Sequence, residues 1–418
     1  MKNLTIENFF EEDKVFKDAS VFSPHYLPDA FKYREEEFKK IGSNLKGIID
    51  YLPTNMYISG PPGTGKTHIT KRLIQEFNNY CKRKRIKTKF LYVNCRTKTY
   101  PRALCTLLEQ FQKNVPYKGF SSHDLLDKIL RHLKGYNVCF IFDEMDRLLP
   151  SAKRNVYEEV IGTFTRLSEY DFDGYTSLAI IANNPNVDEK IDASAQSSFI
   201  PVRVRFKEYQ LGEINEIIMD RCRKGFKKGV INTNTVMSFS KEIKNSAHDL
   251  RTAFRVLLNA GKVLKNKGNN GEITSDLLKY SFEDVERLDL NQIFLEMNDL
   301  QIILLYIIAN IQHKKMKAKK KNDIYVTTNE IWRGYQSFVK DMNKKLKEDK
   351  RNHRLQEKSQ RHLFEYVLPR LESQGFFTTD KTKTSCGLIK IFSMQETMIT
   401  TIRESLEKIL QQKYQDWY

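Results

Sequence analysis

The eight residues Gly60-Pro-Pro-Gly-Thr-Gly-Lys-Thr67 restrict the folds open to this chain more than any other segment. They match the pattern G-x-x-x-x-G-K-[S/T], whose glycines let backbone N–H groups approach phosphate oxygens without a Cβ in the way. A strand-like run, Met56–Ser59, precedes the motif, and a helical pattern follows it from His68 to Phe77. This order places a phosphate at a helix N-terminus, where partial positive charge stabilises it. The motif therefore predicts a nucleotide-binding α/β fold.

The pattern around the motif supports a parallel sheet. Between residues 40 and 206, short β-branched and aromatic runs alternate with helical patterns, as in sheets covered by helices on both faces. From residue 209 to 285 the periodicity is helical throughout. Besides Met56–Ser59, the predicted strands are Phe90–Asn94, Val138–Phe142, Leu178–Ala182 and Val202–Phe206.

Acidic residues follow the predicted strand Val138–Phe142. In open α/β sheets ligands lie at the carboxyl ends of strands, so Asp143 is expected to complete a Mg²⁺ shell with the Thr67 hydroxyl. Glu144 is the expected base for the attacking water, and Lys66 is expected to reach the β- and γ-phosphates. The predicted cofactor is thus ATP or ADP with Mg²⁺, held by Gly60, Pro61, Pro62, Gly63, Thr64, Gly65, Lys66, Thr67 and Asp143.

A polar amide also ends the strand Leu178–Ala182. The residues Asn183-Asn184-Pro185 follow it, and an amide there has two interpretations. It hydrogen-bonds the γ-phosphate or the water, or it belongs to a plain Asn-Pro turn. Spacing alone favours neither.

Composition adds a possible class of partner. The 70 basic and 52 acidic residues give a net charge of +18, which favours nucleic acid or another anionic surface, although lysines also serve solubility. The six cysteines form no C-x-x-C pair, which argues against a zinc site or a disulfide framework and favours an intracellular protein. The longest apolar run, 300–311, is shorter than the roughly 20 residues of a membrane span, so it predicts a buried helix and no membrane partner.

The basic excess is concentrated near the C-terminus. Residues 312–361 contain 16 Lys or Arg and six Asp or Glu, a local net charge of +10, as phosphate binding requires. A solvated lysine-rich loop remains the alternative for part of this run. The segment 355–368 is the expected recognition helix, ended or kinked by Pro369, and 376–392 is the expected hairpin with its tip at 379–385. The candidate DNA contacts are Lys358, Ser359, Arg361 and His362 on the helix and Lys381 and Lys383 at the tip.

Six stretches resemble one clade of AAA+ proteins, the archaeal origin-recognition and cell-division-control initiators. The resemblance implies an α/β AAA+ P-loop ATPase core at 1–208, an all-α helical lid at 209–290 and a C-terminal winged-helix domain at 291–418. The stretches are Tyr26-Leu-Pro28, Tyr33-Arg34-Glu35, Val93-Asn-Cys-Arg96, Phe142-Asp-Glu-Met-Asp146, Phe206-Lys-Glu-Tyr209 and His248-Asp-Leu-Arg251.

The resemblance also implies roles for single residues. Asn184 aligns with the sensor of the γ-phosphate and Arg251 with the lid arginine, while Tyr209 and the segment 26–34 frame the adenine. A helical insertion after the second strand, 96–112, implies further DNA contacts, with Arg96, Lys98 and Arg102 as candidates; an ordinary surface helix is the alternative. The chain departs from the family at Ser194, where an arginine is common, and at His248, where glycine is common.

Three functions are compatible with these features. The first is a replication initiator that hydrolyses ATP slowly as a switch, binds double-stranded origin DNA and acts on the replicative helicase, with other initiator paralogues as partners. The second is a winged-helix transcription regulator in which ATP binding modulates DNA binding. The third, a clamp loader or unfolding motor, does not need a basic C-terminal domain. The expected compartment is the cytoplasm, at the nucleoid, in an archaeon and the nucleus otherwise.

Overall fold

The structure is a computed structural model that describes residues 13–413 except 24–25, 27, 29–30, 117–118, 150–154, 171, 187–190, 247–248, 267–270, 319–323, 349–356, 374 and 385–386. It divides into two compact units, residues 1–278 and 279–418. Among the described residues, no helix combines the length and the apolar character needed to cross a membrane.

A five-stranded parallel sheet forms the centre of the first unit. Its strands are β1 (Met56–Ser59), β2 (Thr88–Asn94), β3 (Asn137–Asp143), β4 (Thr176–Ala182) and β5 (Val202–Arg205). They lie in the order β2-β3-β4-β1-β5, and every pairing is parallel. All seven residues of β3 are buried, as expected for a strand covered by helices on both faces. The five predicted strands are confirmed, with ends shifted by at most two residues.

Helices cover this sheet. They are α1 (Glu35–Ile49), α2 (Lys66–Lys84), α3 (Tyr100–Leu108), α4 (Ser122–His132), α5 (Val156–Phe164) and α6 (Ala193–Ser198). Two apolar clusters result, one on each face of the sheet. Phe140 and Phe142 belong to one of them, and Cys139 and Ile141 to the other. Alternate residues of β3 thus face opposite layers, which fixes the register of the central strand.

Three further helices complete the first unit: α7 (Leu211–Gly225), α8 (Thr233–Asn245) and α9 (Leu250–Asn266). A short 3₁₀ turn, Ala19–Phe22, packs on them through Phe22, whose ring centroid lies 4.6 Å from that of Phe226. Phe16 also pairs with Phe226 in an isolated antiparallel bridge. Gly225 is required at this junction, because a Cβ there would lie 2.3 Å from the Phe22 ring.

The second unit combines helices with a small antiparallel sheet. Its elements are α10 (Ser275–Leu295), α11 (Asp299–Lys317), β6 (Val326–Thr327), α12 (Thr328–Glu348), α13 (Gln360–His362), α14 (Leu368–Ser373), β7 (Thr378–Thr384), β8 (Gly387–Ser393) and α15 (Glu396–Lys413). The sheet order is β6-β8-β7. Residues 301–309 of α11 are all buried, which confirms the predicted buried helix.

Of the two outcomes expected at Pro369, an ended or a kinked helix, the structure excludes the first. A π-helical turn, Leu363–Val367, precedes the proline, and α14 continues to Ser373. The wider π turn shifts the carbonyl positions of the preceding residues, so the ring is accommodated within a continuous helical run.

The hairpin tip is also shorter than expected. Lys381 pairs with Lys390 and Lys383 with Leu388 inside the ladder, so neither lies at a tip, and the turn falls at residues 385–386, outside the described part. The threonines of 378–384 explain the difference, since β-branched residues extend strands.

Candidate nucleotide site

The glycines of the motif adopt the backbone conformations that only glycine takes without strain. The φ angles of Gly63 and Gly65 are 74° and 96°, and Gly65 caps the N-terminus of α2. A Cβ on Gly60 would lie 2.3 Å from the Phe206 carbonyl oxygen, and one on Gly63 would lie 2.3 Å from Cβ of Asp249. The loop is thus a cradle of backbone N–H groups at the start of a 19-residue helix.

Lys66 is the buried cation of this cradle. Its side chain is 7% exposed, and its Nζ donates to the carbonyl oxygens of Gly60 and Pro61 and to Asn183 Oδ1 at 3.1 Å. Burial lowers the pKa of Lys66 to about 8, against the opposing effect of the nearby Asp143 and Asp146. A phosphate anion in the cradle would favour the charged form and raise that pKa again.

Asp143 lies at the carboxyl end of β3 with both carboxylate oxygens engaged. Oδ2 accepts a hydrogen bond from the Tyr92 hydroxyl at 2.6 Å, and Oδ1 accepts one from the Glu144 N–H at 2.8 Å. Burial, reinforced by the Asp143 carboxylate, raises the pKa of Tyr92, so its hydroxyl keeps the proton that it donates to Asp143. The carboxylate is therefore held in one orientation at the mouth of the cradle.

Glu144 has a left-handed backbone, with φ 52° and ψ 44°, and it caps the short 3₁₀ helix Met145–Arg147. Non-glycine residues in this region carry a strain of about 1–3 kcal/mol and cluster at functional sites. The turn directs the chain sharply out of β3. Arg96 Nε lies 3.9 Å from Glu144 Oε2, and both residues line the cavity that also contains Lys66, Thr67 and Asp143.

Asn183, and not Asn184, contacts the cradle. Asn183 is the first residue after β4; its Oδ1 accepts from Lys66, and its Nδ2 donates to Asp146 Oδ2 at 3.1 Å. The Asn184 side chain instead accepts from the Asn186 N–H, which makes it part of a turn. In the structure the Asn183 side chain thus contacts Lys66 and the Asn184 side chain belongs to a turn, while the assignment of Asn184 as the γ-phosphate sensor stays a prediction.

A second cavity opens on the other side of the loop. Tyr209 lines it and is held by Arg34, whose guanidinium lies 3.9 Å from the Tyr209 ring centroid and donates to the carbonyl oxygens of Thr64 and Lys207. Arg221 lies 4.3 Å from the Tyr26 ring. The cavity, of about 110 Å³, is lined chiefly by apolar and aromatic groups, including Tyr26, Pro28, Phe31, Tyr209, Ile217, Leu250 and Phe254. This lining suits a planar heterocycle joined to phosphates at Gly63 and Gly65.

Arg251 lies on both cavities. Its side chain is 45% exposed and its Nε lies 4.0 Å from Asp249 Oδ2. Asp249 in turn caps α9 by accepting from the Thr252 N–H, and it contacts the loop at Gly63. The first turn of α9 therefore delivers a guanidinium between the predicted base and phosphate positions.

The donor set fits the expected cofactor. Asp143 and Thr67 offer carboxylate and hydroxyl oxygens, the hard ligands that Mg²⁺ prefers, and both line the cavity beside Lys66. Of the predicted cradle residues, those from Pro62 to Thr67 line this cavity, and Gly60 and Pro61 contact it through the Lys66 ammonium.

The predicted DNA contacts of the first unit have different surroundings. Arg96 lines the phosphate-side cavity, and the Lys98 Nζ donates to the Asn94 carbonyl at 2.7 Å. Arg102 is exposed on α3. Ser194, which stands where an arginine is common in the similar family, accepts a hydrogen bond from Arg166 Nη2 at 2.7 Å.

In the second unit the four candidates expected on the helix 355–368 are exposed, but the described helix begins at Gln360, so Lys358 and Ser359 precede it. Ser359 caps α13 through the His362 N–H, Arg361 pairs with Glu365 at 2.8 Å, and the His362 ring stacks near Tyr366. Lys358 is exposed, and its backbone N–H donates to the Tyr335 hydroxyl. Lys381 is exposed on β7; the Lys383 side chain and residue His248 lie outside the described part.

Sequence reasoning gave no role to three site residues: Tyr92, Asp146 and, beside the base cavity, Arg221. It named Asn183 as part of the Asn-Asn-Pro turn but did not choose it. Asp146 lies in the 3₁₀ helix that follows β3, so the strand-end rule that located Asp143 does not reach it. Tyr92 carried no such signal, because its role depends on the β2–β3 register that pairs Tyr92 with Ile141.

Comparisons with known proteins agree with this geometry. Residues 50–184 match the family model described as AAA domain. The chain is 25% identical over 432 residues to the ORC1-type DNA replication protein 2 of Sulfurisphaera tokodaii, covering 98% of this chain and 96% of that protein. It is 22% identical over 327 residues to the ORC1-type DNA replication protein of Thermococcus onnurineus, covering 76% and 78%.

Solved structures show the same fold. The Aeropyrum pernix ORC1 protein in complex with DNA superposes with a TM-score of 0.78 at 18% identity, covering 95% of this chain and 98% of that one. Cdc6p from Pyrobaculum aerophilum superposes with a TM-score of 0.54, also at 18% identity, covering 96% and 99%. Residues 50–184 thus match an AAA domain, and the whole chain resembles archaeal ORC1-type DNA replication proteins in sequence and shares the fold of archaeal ORC1 and Cdc6 structures.

Proposed function

We propose that this protein is an ATP-dependent replication initiator that binds double-stranded origin DNA and promotes loading of the replicative helicase. The observation that carries the proposal is the hydrogen-bonded chain from the buried Lys66 through Asn183 to Asp146, beside Asp143 and Glu144. These groups suit ATP hydrolysis, and the relatives that share the fold are replication proteins.

Each residue of the site has a separate role in the proposed hydrolysis. Lys66, with the N–H groups of 60–67, binds the phosphates, and Asn183 reads the γ-phosphate through its contact with Lys66. Asp143 and Thr67 hold Mg²⁺, which when bound neutralises charge on the transferred phosphoryl group. Glu144 accepts the proton of the attacking water. Arg251 compensates charge from the lid side, and Tyr209 and Arg34 frame the adenine.

Hydrolysis is proposed to be slow and to act as a switch. In this structure Glu144 lies 3.9 Å from Arg96, and both Asp143 oxygens accept hydrogen bonds from the protein. Rearrangement of these contacts must precede turnover, which makes a low rate the expected outcome. The arginine common at position 194 is replaced by serine, which removes one cation from any catalysis between neighbouring molecules.

The second unit is proposed to be the winged-helix DNA-binding domain. The helical run 360–373 serves as the recognition helix, and the β7–β8 hairpin serves as the wing. Lys358, Arg361 and Lys381 contribute phosphate contacts, with Ser359 and His362 at the start of the helix near the bases. The local net charge of +10 over residues 312–361 supports this assignment.

A second candidate is a transcription regulator on the same scaffold. The specific observation in its favour is Ser194, which accepts a hydrogen bond from Arg166 in place of presenting an arginine. Such a protein requires an intact DNA-binding unit and little hydrolysis.

Crosslinking the protein to its own genome and sequencing the bound DNA separates the two. Occupancy at one or a few sites that coincide with replication start points supports the initiator. Occupancy at many promoters, with origins firing normally in a deletion strain, contradicts it and supports the regulator.

A further inference from the structure

A groove between α1 and α2 lies apart from both nucleotide cavities. Its volume is about 1,180 Å³, which exceeds the roughly 300–1,000 Å³ of small-molecule pockets. Phe38, Leu73, Phe77 and Ile86 form its apolar floor and pack on the core below. Tyr80 stands on its side with 43% of its surface exposed. The floor is thus a long apolar strip suited to a row of side chains.

Gly42 keeps the floor open where the two helices approach. A Cβ there would make an ordinary van der Waals contact with Leu73 Cδ2 at 3.5 Å, so Gly42 adds no side chain to the strip at this point. Ser43, the next residue of α1, is exposed on the rim. A bulky side chain at Ser43 would therefore fill the groove without changing its charge.

The rim carries cations that lack carboxylate partners. The two acidic residues of the groove are already paired, Asp50 with Lys46 and Glu76 with Arg72. Within the described residues, no carboxylate lies at ion-pair distance from Lys39, Lys82 or Arg83, all of which are exposed. The free charge of the groove is therefore positive.

Helix dipoles do not account for these cations. The C-terminal turn of α2 favours positive charge, which partly explains why Lys82 and Arg83 occur there. Lys39 lies near the N-terminal end of α1, where the dipole gives no such benefit. A requirement for cations around the whole groove is the simpler explanation.

We propose that this groove docks an acidic amphipathic helix of a partner protein, a function separate from ATP and DNA binding. Apolar residues at i, i+3, i+4 and i+7 would occupy the floor, and flanking carboxylates would meet Lys39, Lys82 and Arg83. Duplex DNA fits less well, since phosphates gain nothing from an aromatic floor. A second copy of this chain is disfavoured because each copy carries a net charge of +18.

Fluorescence anisotropy with the full-length protein tests the proposal. The probes are a 16-residue peptide with Leu at helical spacing and Glu elsewhere, a scrambled peptide of the same composition, and a 20-base-pair random duplex. We expect the ordered peptide to bind at least tenfold more tightly than the scrambled one. S43W, which blocks the apolar floor, should weaken binding of the ordered peptide at least tenfold. K82E/R83E, which reverses the charge of the rim, should weaken it by at least as much.

The matched control is K228E/K241E, which makes the same change in net charge at two exposed lysines of the first unit. It should leave peptide binding within twofold of the wild type, and thermal melting should show that all variants fold. Equal binding of ordered and scrambled peptides, equal loss in the control, or no effect of S43W would overturn the proposal. A fourth outcome would also overturn it: the wild type binds the duplex but not the ordered peptide, and K82E/R83E abolishes the duplex binding. The groove would then be a surface that contacts phosphates.

Discussion

Lys66 in the first unit and Arg361 in the second are both cations predicted to meet phosphate, yet their surroundings differ. The Lys66 side chain is 7% exposed and donates to three oxygens, whereas 79% of the Arg361 side chain is exposed and its contact is Glu365. The candidate nucleotide site is thus built into the core, and the proposed DNA-binding face lies on the surface. A substitution in the nucleotide site should therefore strongly change ATP binding or hydrolysis. A substitution on the proposed DNA-binding face should change the affinity for DNA only by a small amount.

The largest effect is expected from K66A. The change removes the buried ammonium that would meet the phosphates, and loss of a charged hydrogen-bonding partner of this kind is worth about 3 kcal/mol or more. ATP affinity should therefore fall at least 100-fold in isothermal titration calorimetry. Thermal melting of the nucleotide-free variant should stay within a few degrees of the wild type, because burying Lys66 already disfavours its charge. A variant that keeps ATP affinity would contradict the assignment of the cradle.

The next effect separates two neighbouring amides. N183A removes the bridge between Lys66 and Asp146 and should lower the rate of ATP hydrolysis about 10- to 100-fold. N184A removes a turn contact to Asn186 and should change the rate less than threefold. Single-turnover hydrolysis measured on both variants decides between them, and the reverse order of effects would restore Asn184 as the sensor.

The pH dependence of ATP binding sharpens the account of Lys66. Its pKa of about 8 in the nucleotide-free protein means that the ammonium loses its proton as the pH rises past 8. Phosphate binding requires the charged form, so the affinity should fall about tenfold between pH 7 and pH 9. In the K66A variant this step should be absent. The same shift makes the nucleotide-free protein more stable as the pH rises from about 8 to the unfolded-state value of 10.5, because the unfolded state then holds more protons.

The smallest effects belong to the second unit. K358A/R361A removes two exposed cations, which should reduce the slope of log affinity against log salt for a random duplex by about 2. Affinity at fixed salt should fall less than about tenfold. K228A/K241A, an equal change of charge in the first unit, is the control and should leave the slope unaltered. If the salt dependence of duplex binding has the same slope in both double variants, the proposed DNA-binding face at Lys358 and Arg361 is wrong.

The same contrast explains what sequence could predict. The strands follow from apolar runs such as Val138–Phe142, and Lys66 and Asp143 follow from a motif whose chemistry tolerates few alternatives. Spacing alone did not separate Asn183 from Asn184, and the expectation for Asn184 came from the family resemblance. In the structure β4 ends at Ala182, Asn183 contacts Lys66 and Asn184 contacts Asn186. The comparison of N183A with N184A decides which of the two senses the γ-phosphate.

Tertiary context decided the remaining differences. Pro369 predicted a helix that ends or kinks, and the helix continues through a local π-helical turn that single-residue rules do not anticipate. Lys381 was placed at a tip because its segment is polar, whereas the threonines there extend the strand. Tyr92 became visible only through its 2.6 Å contact with Asp143.

The most direct test of the account is hydrolysis by E144Q, since a working site requires the Glu144 carboxylate and a remnant does not. Single-turnover hydrolysis should fall at least about 100-fold, while ATP affinity stays within threefold of the wild type, because Gln keeps the size of the side chain and removes the base. An unchanged rate would contradict the hydrolytic site. A wild-type protein that binds ATP but never hydrolyses it would contradict the switch and favour the regulator.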